Sequence, residues 1–144
     1  QRIPKEKELE ELSLNFSKAV NKALLVCEVS KGIKALRQKT QNTKWMIVSG
    51  GDQTELRELF RQRDLDRYFD GGIFGSPDDK VTILKNEIDK CNIIGKSLFL
   101  GDSAYDYNAA TAVQMDFIFL SRWTEMTKWD MFLDNSCLDI SSLL

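Results

Sequence analysis

The chain has 144 residues, 29% of them charged and 42% hydrophobic, the composition of one ordinary globular domain. A formal charge of −2 without a basic stripe argues against nucleic acid as a partner. The absence of histidine removes Ser-His-Asp and Cys-His nucleophile systems and most zinc sites, so acid–base chemistry must come from Asp, Glu, Lys or Tyr.

No apolar run approaches the roughly 20 residues of a membrane span, and the charged start KEKELEEL is no signal peptide. Cys27, Cys91 and Cys137 are widely spaced and odd in number, and they read as reduced, partly buried thiols of a cytoplasmic protein. From Glu6 to Leu25 the apolar residues Leu9, Leu12, Phe16, Val20 and Leu24 predict an amphipathic helix. Its acids gather toward the N-terminus and Lys18 and Lys22 toward the C-terminus, as the helix macrodipole prefers. A short helix over 31–39, with Ile33 and Leu36 inward, precedes a turn at QNTK.

WMIVS (Trp45 to Ser49) predicts a strand, ended by Gly50-Gly51. Asp52 followed by Glu55 reads as an acidic capping box opening a helix with Leu56, Leu59 and Phe60 on one face. GGIFG (Gly71 to Gly75) predicts a very short strand. Ser76-Pro77-Asp78-Asp79 then predicts a helix start, with Ser76 as N-cap, Pro77 at the first position and Val81, Leu84 and Ile88 inward. SLFL (Ser97 to Leu100), a helix from Ala104 to Val113, a strand DFIFL (Asp116 to Leu120) and an amphipathic piece with Met126, Trp129 and Phe132 complete the chain.

Strands alternating with helices of this length predict an α/β fold built on a parallel sheet, whose ligands bind beyond the carboxyl ends of the strands. Two strands end in polar signals, Ser49-Gly50-Gly51 and Gly101-Asp102. A hydroxyl with free N–H groups at a helix start can hold phosphate, although a polar strand end with turn glycines is the plainer reading. Lys80 lies in the first helical turn, where a cation is unfavourable unless it neutralises an anion; a surface lysine is the alternative. Asp102 and Asp106 offer the hard oxygens of which Mg²⁺ takes one or two, against the simpler reading of acids favoured at a helix N-terminus.

In their order, VSGGDQTELRELF, YFDGGIFGSPDDKVTIL and FLGDSAYDYNAA resemble the second, third and fourth motifs of the haloacid dehalogenase (HAD) superfamily, in its phosphoglycolate-phosphatase-like branch. The resemblance covers residues 29 to 120 and implies a Rossmann-like core with helices on both faces of a parallel sheet. It implies residues 1–28 as the remnant of a helical cap and 29–144 as an incomplete core. It implies a phosphatase acting on a small phosphorylated metabolite through Mg²⁺ and an aspartyl-phosphate. Ser49 and Gly50 would hold the phosphoryl group, Lys80 would steady charge on nucleophile and phosphate, and Asp102 and Asp106 would serve the metal, Asp106 as ligand or support.

The family's first motif, an aspartate nucleophile with a second aspartate two residues on, is missing. The one Asp-x-Asp, Asp64-Leu65-Asp66, lies in a charged connection between RQR and Arg67-Tyr68. The chain begins at Gln1, and the expectation is either a fragment, inactive alone, or a noncatalytic phosphate- and Mg²⁺-binding module. The central strand implied by the resemblance, between those ending at Ser49 and Leu100, would also be absent. Those strands would then pair directly, or an upstream segment or another copy of the chain would fill the gap. A receiver-like phospho-acceptor domain is disfavoured, since it too needs an aspartate after a central strand.

Overall fold

The computed structural model describes residues 5–131 and 135–144. Five helices and five strands alternate among them: α1 (Glu6–Val26), α2 (Ile33–Lys39), β1 (Met46–Asp52), α3 (Gln53–Gln62), β2 (Gly72–Ser76), α4 (Lys80–Asp89), β3 (Leu98–Gly101), α5 (Ala104–Ala112), β4 (Asp116–Leu120) and β5 (Ser136–Cys137). The fold is the α/β, Rossmann-like arrangement expected, with every strand pair parallel.

The strands form two sheets, β1-β2 and β3-β4-β5. In the first, Met46, Ile47 and Val48 pair with Gly72, Ile73 and Phe74, and an irregularity follows before Asp52 meets Ser76. In the second, Leu98 to Gly101 pair in step with Asp116 to Phe119, and β5 adds beyond β4. No ladder joins β1 to β3. Direct pairing across the expected gap therefore does not occur, and helices span it instead. α4 packs on β1, β2 and α5, while α5 packs on β3 and β4.

Small residues make that packing possible. Ala109 and Ala110 of α5 are fully enclosed, which lets the helix lie close over Phe117 and Phe119 of β4. Phe99, Tyr107, Met115, Met126 and Trp129 close around this cluster, with Trp129 stacked on Phe119 at 5.3 Å. The expected amphipathic piece thus contributes Met126 and Trp129 to the core, while Phe132 lies outside the described residues.

Four local expectations are corrected. α4 starts at Lys80 with Asp79 as its N-cap, accepting the Thr82 N–H at 2.8 Å; Ser76 instead ends β2, and the Ser76–Pro77 peptide is cis. A strand ladder at Ser76 takes the chain past the position where a serine cap would begin the helix. The buried face of α4 is Ile83, Leu84 and Glu87, and Ile88 is exposed; Asn92 donates both to Glu87 and to the Gly71 carbonyl, which holds the Glu87 side of the helix inward. The apolar stripe of α1 is exposed at Leu9, Leu12 and Phe16, since the bonds between α1 and α3 lie near the C-terminal end of α1, at Asn21 and Leu24. Cys27 and Cys91 are exposed rather than partly buried, and all three thiols are free. Among the described residues no helix is long and apolar enough to cross a membrane.

Candidate functional site

The end of β3 and the start of α5 form one tightly bonded corner. Ser103 is the N-cap of α5, accepting the Asp106 N–H at 3.2 Å, and its hydroxyl donates back to Asp106 Oδ2 at 2.8 Å. Ser103 thus caps the helix through its side chain, while the Asp106 carboxylate reaches back to the Ser103 hydroxyl rather than to the Ser103 backbone N–H of a full capping box. The Asp102 N–H donates to the same Oδ2 at 3.2 Å. Lys80 Nζ pairs with Oδ1, so Asp106 receives donors on both oxygens while its side chain is only 6% exposed.

Gly101 has a steric reason to be glycine. A Cβ there would lie 2.4 Å from Asp106 Cβ and 2.8 Å from Oδ2, distances that no real contact tolerates. The glycine that ends β3 therefore clears space for the aspartate one turn into the next helix. Sequence reasoning overlooked Ser103, although S-x-x-D immediately before a helix is a recognisable capping signal, and it read Gly101 only as a strand end.

Asp102 is more open than Asp106. Burial, then the neighbouring Asp106 carboxylate, pushes the Asp102 carboxyl above its usual range, only partly offset by Lys80. Lys80 also lies 5.7 Å over the exposed Tyr105 ring. Because Lys80 begins α4, which rests on the β1-β2 sheet, its pairing with Asp106 ties one sheet to the other.

Ser49 and Gly50 stand elsewhere in the chain's bonding. They fall in the irregular stretch of β1 between Val48 and Asp52, where the Gly51 N–H donates to Ser49 Oγ at 3.2 Å and Gly50 is exposed. Here β2 comes close, and a Cβ on Gly75 would lie 2.1 Å from the Gly51 carbonyl oxygen. Asp52 then caps α3 by accepting the Glu55 N–H at 2.9 Å. The structure thus joins Lys80, Asp102 and Asp106 through hydrogen bonds, and among the described residues no hydrogen bond or ion pair links Ser49 or Gly50 to them. The open clefts beside α2, lined by Lys34, Arg37 and Tyr68 among others, include none of the five.

The donor set bears on a metal in one respect. Among the described residues no group of three or more His, Cys, Asp and Glu side chains could cage an ion. Two adjacent carboxylates nevertheless suit a partly hydrated Mg²⁺, which takes one or two protein carboxylates and retains waters.

No family model matches the chain, and no curated protein matches it. Solved structures do. The chain is similar to a protein described as a "Putative Phosphatase" from Clostridium difficile, at 19% identity and a TM-score of 0.65, over 81% of this chain and 58% of that one. It is also similar to Protein Tyrosine Kinase A of Mycobacterium tuberculosis, at 16% identity and a TM-score of 0.74, over 97% of this chain and 70% of that one. The chain thus spans a little over half the length of the first of these neighbours. At such identities the likeness shows the fold: a Rossmann-like α/β arrangement shared with a phosphatase-like neighbour.

Proposed function

We propose that this chain is the phosphate- and Mg²⁺-holding part of a HAD-type phosphohydrolase acting on a small phosphorylated metabolite. The observation that carries the reading is the corner at β3 and α5, where Lys80 from one sheet's helix meets Asp106 and Asp102 from the other's strand end. Similarity to one protein described as a phosphatase and another named a kinase supports phosphoryl chemistry as the class.

In this reading Asp102 is the carboxylate that faces Mg²⁺. Asp106, already holding Lys80 and Ser103, orients the corner and serves the metal as a support. The ammonium of Lys80 holds positive charge where an anionic nucleophile and an anionic phosphate must approach each other. The Ser49 hydroxyl and the Gly50 N–H take phosphoryl oxygens. When bound, Mg²⁺ would offset the remaining repulsion. The attacking aspartate belongs to a strand between β1 and β3, supplied by a segment outside these residues, and forms the aspartyl-phosphate. The unjoined edges of β1 and β3 support this placement.

The test is a Mg²⁺ titration by calorimetry, with and without inorganic phosphate, in the parent and in Asp102→Asn. Phosphate should tighten Mg²⁺ binding, and Asp102→Asn should weaken it by about tenfold or more. Equal affinity in the two proteins would remove Asp102 from the metal. Turnover of an aryl phosphate by this chain alone should stay at background; robust turnover abolished by Asp102→Ala would place a nucleophile within it.

A second reading, a noncatalytic phosphate- and Mg²⁺-binding module, is favoured by one observation: Asp106 is fully engaged by Lys80, Ser103 and the Asp102 N–H. Supplying in trans a strand peptide ending in Asp-x-Asp separates the two. Restored turnover supports the enzyme, and phosphate binding that never leads to turnover supports the module.

A further inference from the structure

The longest helix of the molecule has no buried residue. α1 runs for 21 residues, about 31 Å at the usual rise, and its bonds to α3 lie in its C-terminal half. Asn21 Nδ2 donates to Glu55 Oε2 at 2.9 Å, and Arg63 Nη1 donates to the Leu24 carbonyl at 2.6 Å. These contacts hold one flank of the helix and leave another bare. On the bare flank Leu9, Leu12 and Phe16 are 52%, 61% and 71% exposed. Ala19 follows three residues after Phe16 and completes an apolar seam spaced three and four apart, the repeat of a coiled coil.

The charges along α1 are self-complementary. Residues 5–15 carry four glutamates against two lysines, and residues 16–26 carry two lysines and no acid. The flank beside the seam repeats every seven residues as Glu8, Asn15 and Lys22. Glu8 additionally accepts the Lys5 N–H at 2.9 Å, a contact within its own first turn. Two copies laid antiparallel about residue 14 bring Leu12 of each against Phe16 of the other and Leu9 against Ala19. In the same register the flanking positions meet two residues off level, Glu8 beside Lys22 at both ends and Asn15 beside Asn15 near the centre. A parallel pair would instead set the net acidic half against its like and the basic half against its like.

We propose that α1 pairs with α1 of a second copy of this chain, antiparallel, through the seam of Leu9, Leu12, Phe16 and Ala19. The seam supplies attraction, and the acidic and basic halves set direction and register. A single helix pair is a small interface, so association is reversible and lies in the micromolar range.

Sedimentation velocity across about 1–300 µM chain tests this, a range spanning weak association. The parent should pass from monomer to dimer, and Leu12→Glu and Phe16→Glu should each remain monomeric while keeping the parent's circular dichroism and melting temperature. Glu8→Lys or Lys22→Glu alone should weaken the dimer about tenfold, one close charge pair's worth, and the double swap should restore it. That rescue requires the antiparallel register, because in a parallel pair the two positions lie two heptads apart. A parent that stays monomeric throughout, with some other segment or protein covering the seam, would overturn the proposal. So would a dimer indifferent to Leu12→Glu, or single swaps that the double swap does not repair.

Discussion

Phe119 at the end of β4 has no exposed surface, whereas none of the seven residues of β1 is buried. Both strands are apolar, and sequence alone would rank WMIVS and DFIFL as equivalent core strands. They differ in their neighbours. β4 has strands on both sides, α5 above it and Trp129 stacked against it, while β1 has a ladder with β2 alone and an open edge toward β3. In these two strands burial tracks the number of partners, and the deficit at β1 and at the exposed Leu98 of β3 lies on the two sides of the split.

Truncating Phe119 to Ala should produce the largest effect, costing about 3–5 kcal/mol in urea unfolding, a large part of the stability of a domain this size. Val48→Ala on β1 should cost about 1 kcal/mol, since its side chain is only half-buried. Comparable losses at the two positions would break the contrast. A loss at Val48 that grows when a strand peptide is added would sharpen it, because the added strand would bury that edge.

Lys80→Ala should destabilise by about 3 kcal/mol, because it strands the enclosed Asp106 carboxylate and unties the two sheets. Adding Asp106→Asn should recover part of that loss, so the double-mutant cycle shows a coupling energy. Strictly additive losses would mean that the pair does not hold the halves together.

The smallest effect belongs to Asp102. Its folded-state carboxyl is raised, first by burial and then by Asp106, so the folded protein holds a proton that the unfolded chain releases. The folded state thus binds more protons than the unfolded state in the window just above the usual carboxylate range, and stability falls as pH rises through it. Asp102→Asn should therefore raise the melting temperature at neutral pH and flatten its decline there. Melting curves across that window check this, and a lower melting temperature for the variant at neutral pH would contradict it.

The order of elements was legible because strand and helix periods differ and turn residues punctuate them. DFIFL became β4 with the same bounds, SLFL became β3 one residue later, and WMIVS became β1, which runs three residues past Ser49. β5 was not legible: two residues, Ser136 and Cys137, carry no periodicity, and they become a strand only because the edge of β4 offers hydrogen bonds. The cap of α4 was misread because Ser76 and Asp79 both suit an N-cap locally, and pairing of β2 with β1 decides between them. At the site, the four-residue spacing of Asp102 and Asp106 already implied one helical turn. That Lys80 neutralises an anion was legible from its place at a helix start; that the anion is Asp106, 26 positions away, and that Gly101 matters for the space it leaves were not.

By itself, the sequence determined the alternation of elements, the absence of histidine chemistry, and the placing of Gly101, Asp102 and Asp106 at a strand-to-helix corner, all consequences of local periodicity and composition. Tertiary structure alone decided which apolar strands are buried, that β1 and β3 stay apart, and that Lys80 serves Asp106. Those outcomes depend on which edges and charges meet across long stretches of chain, and no local pattern encodes such meetings.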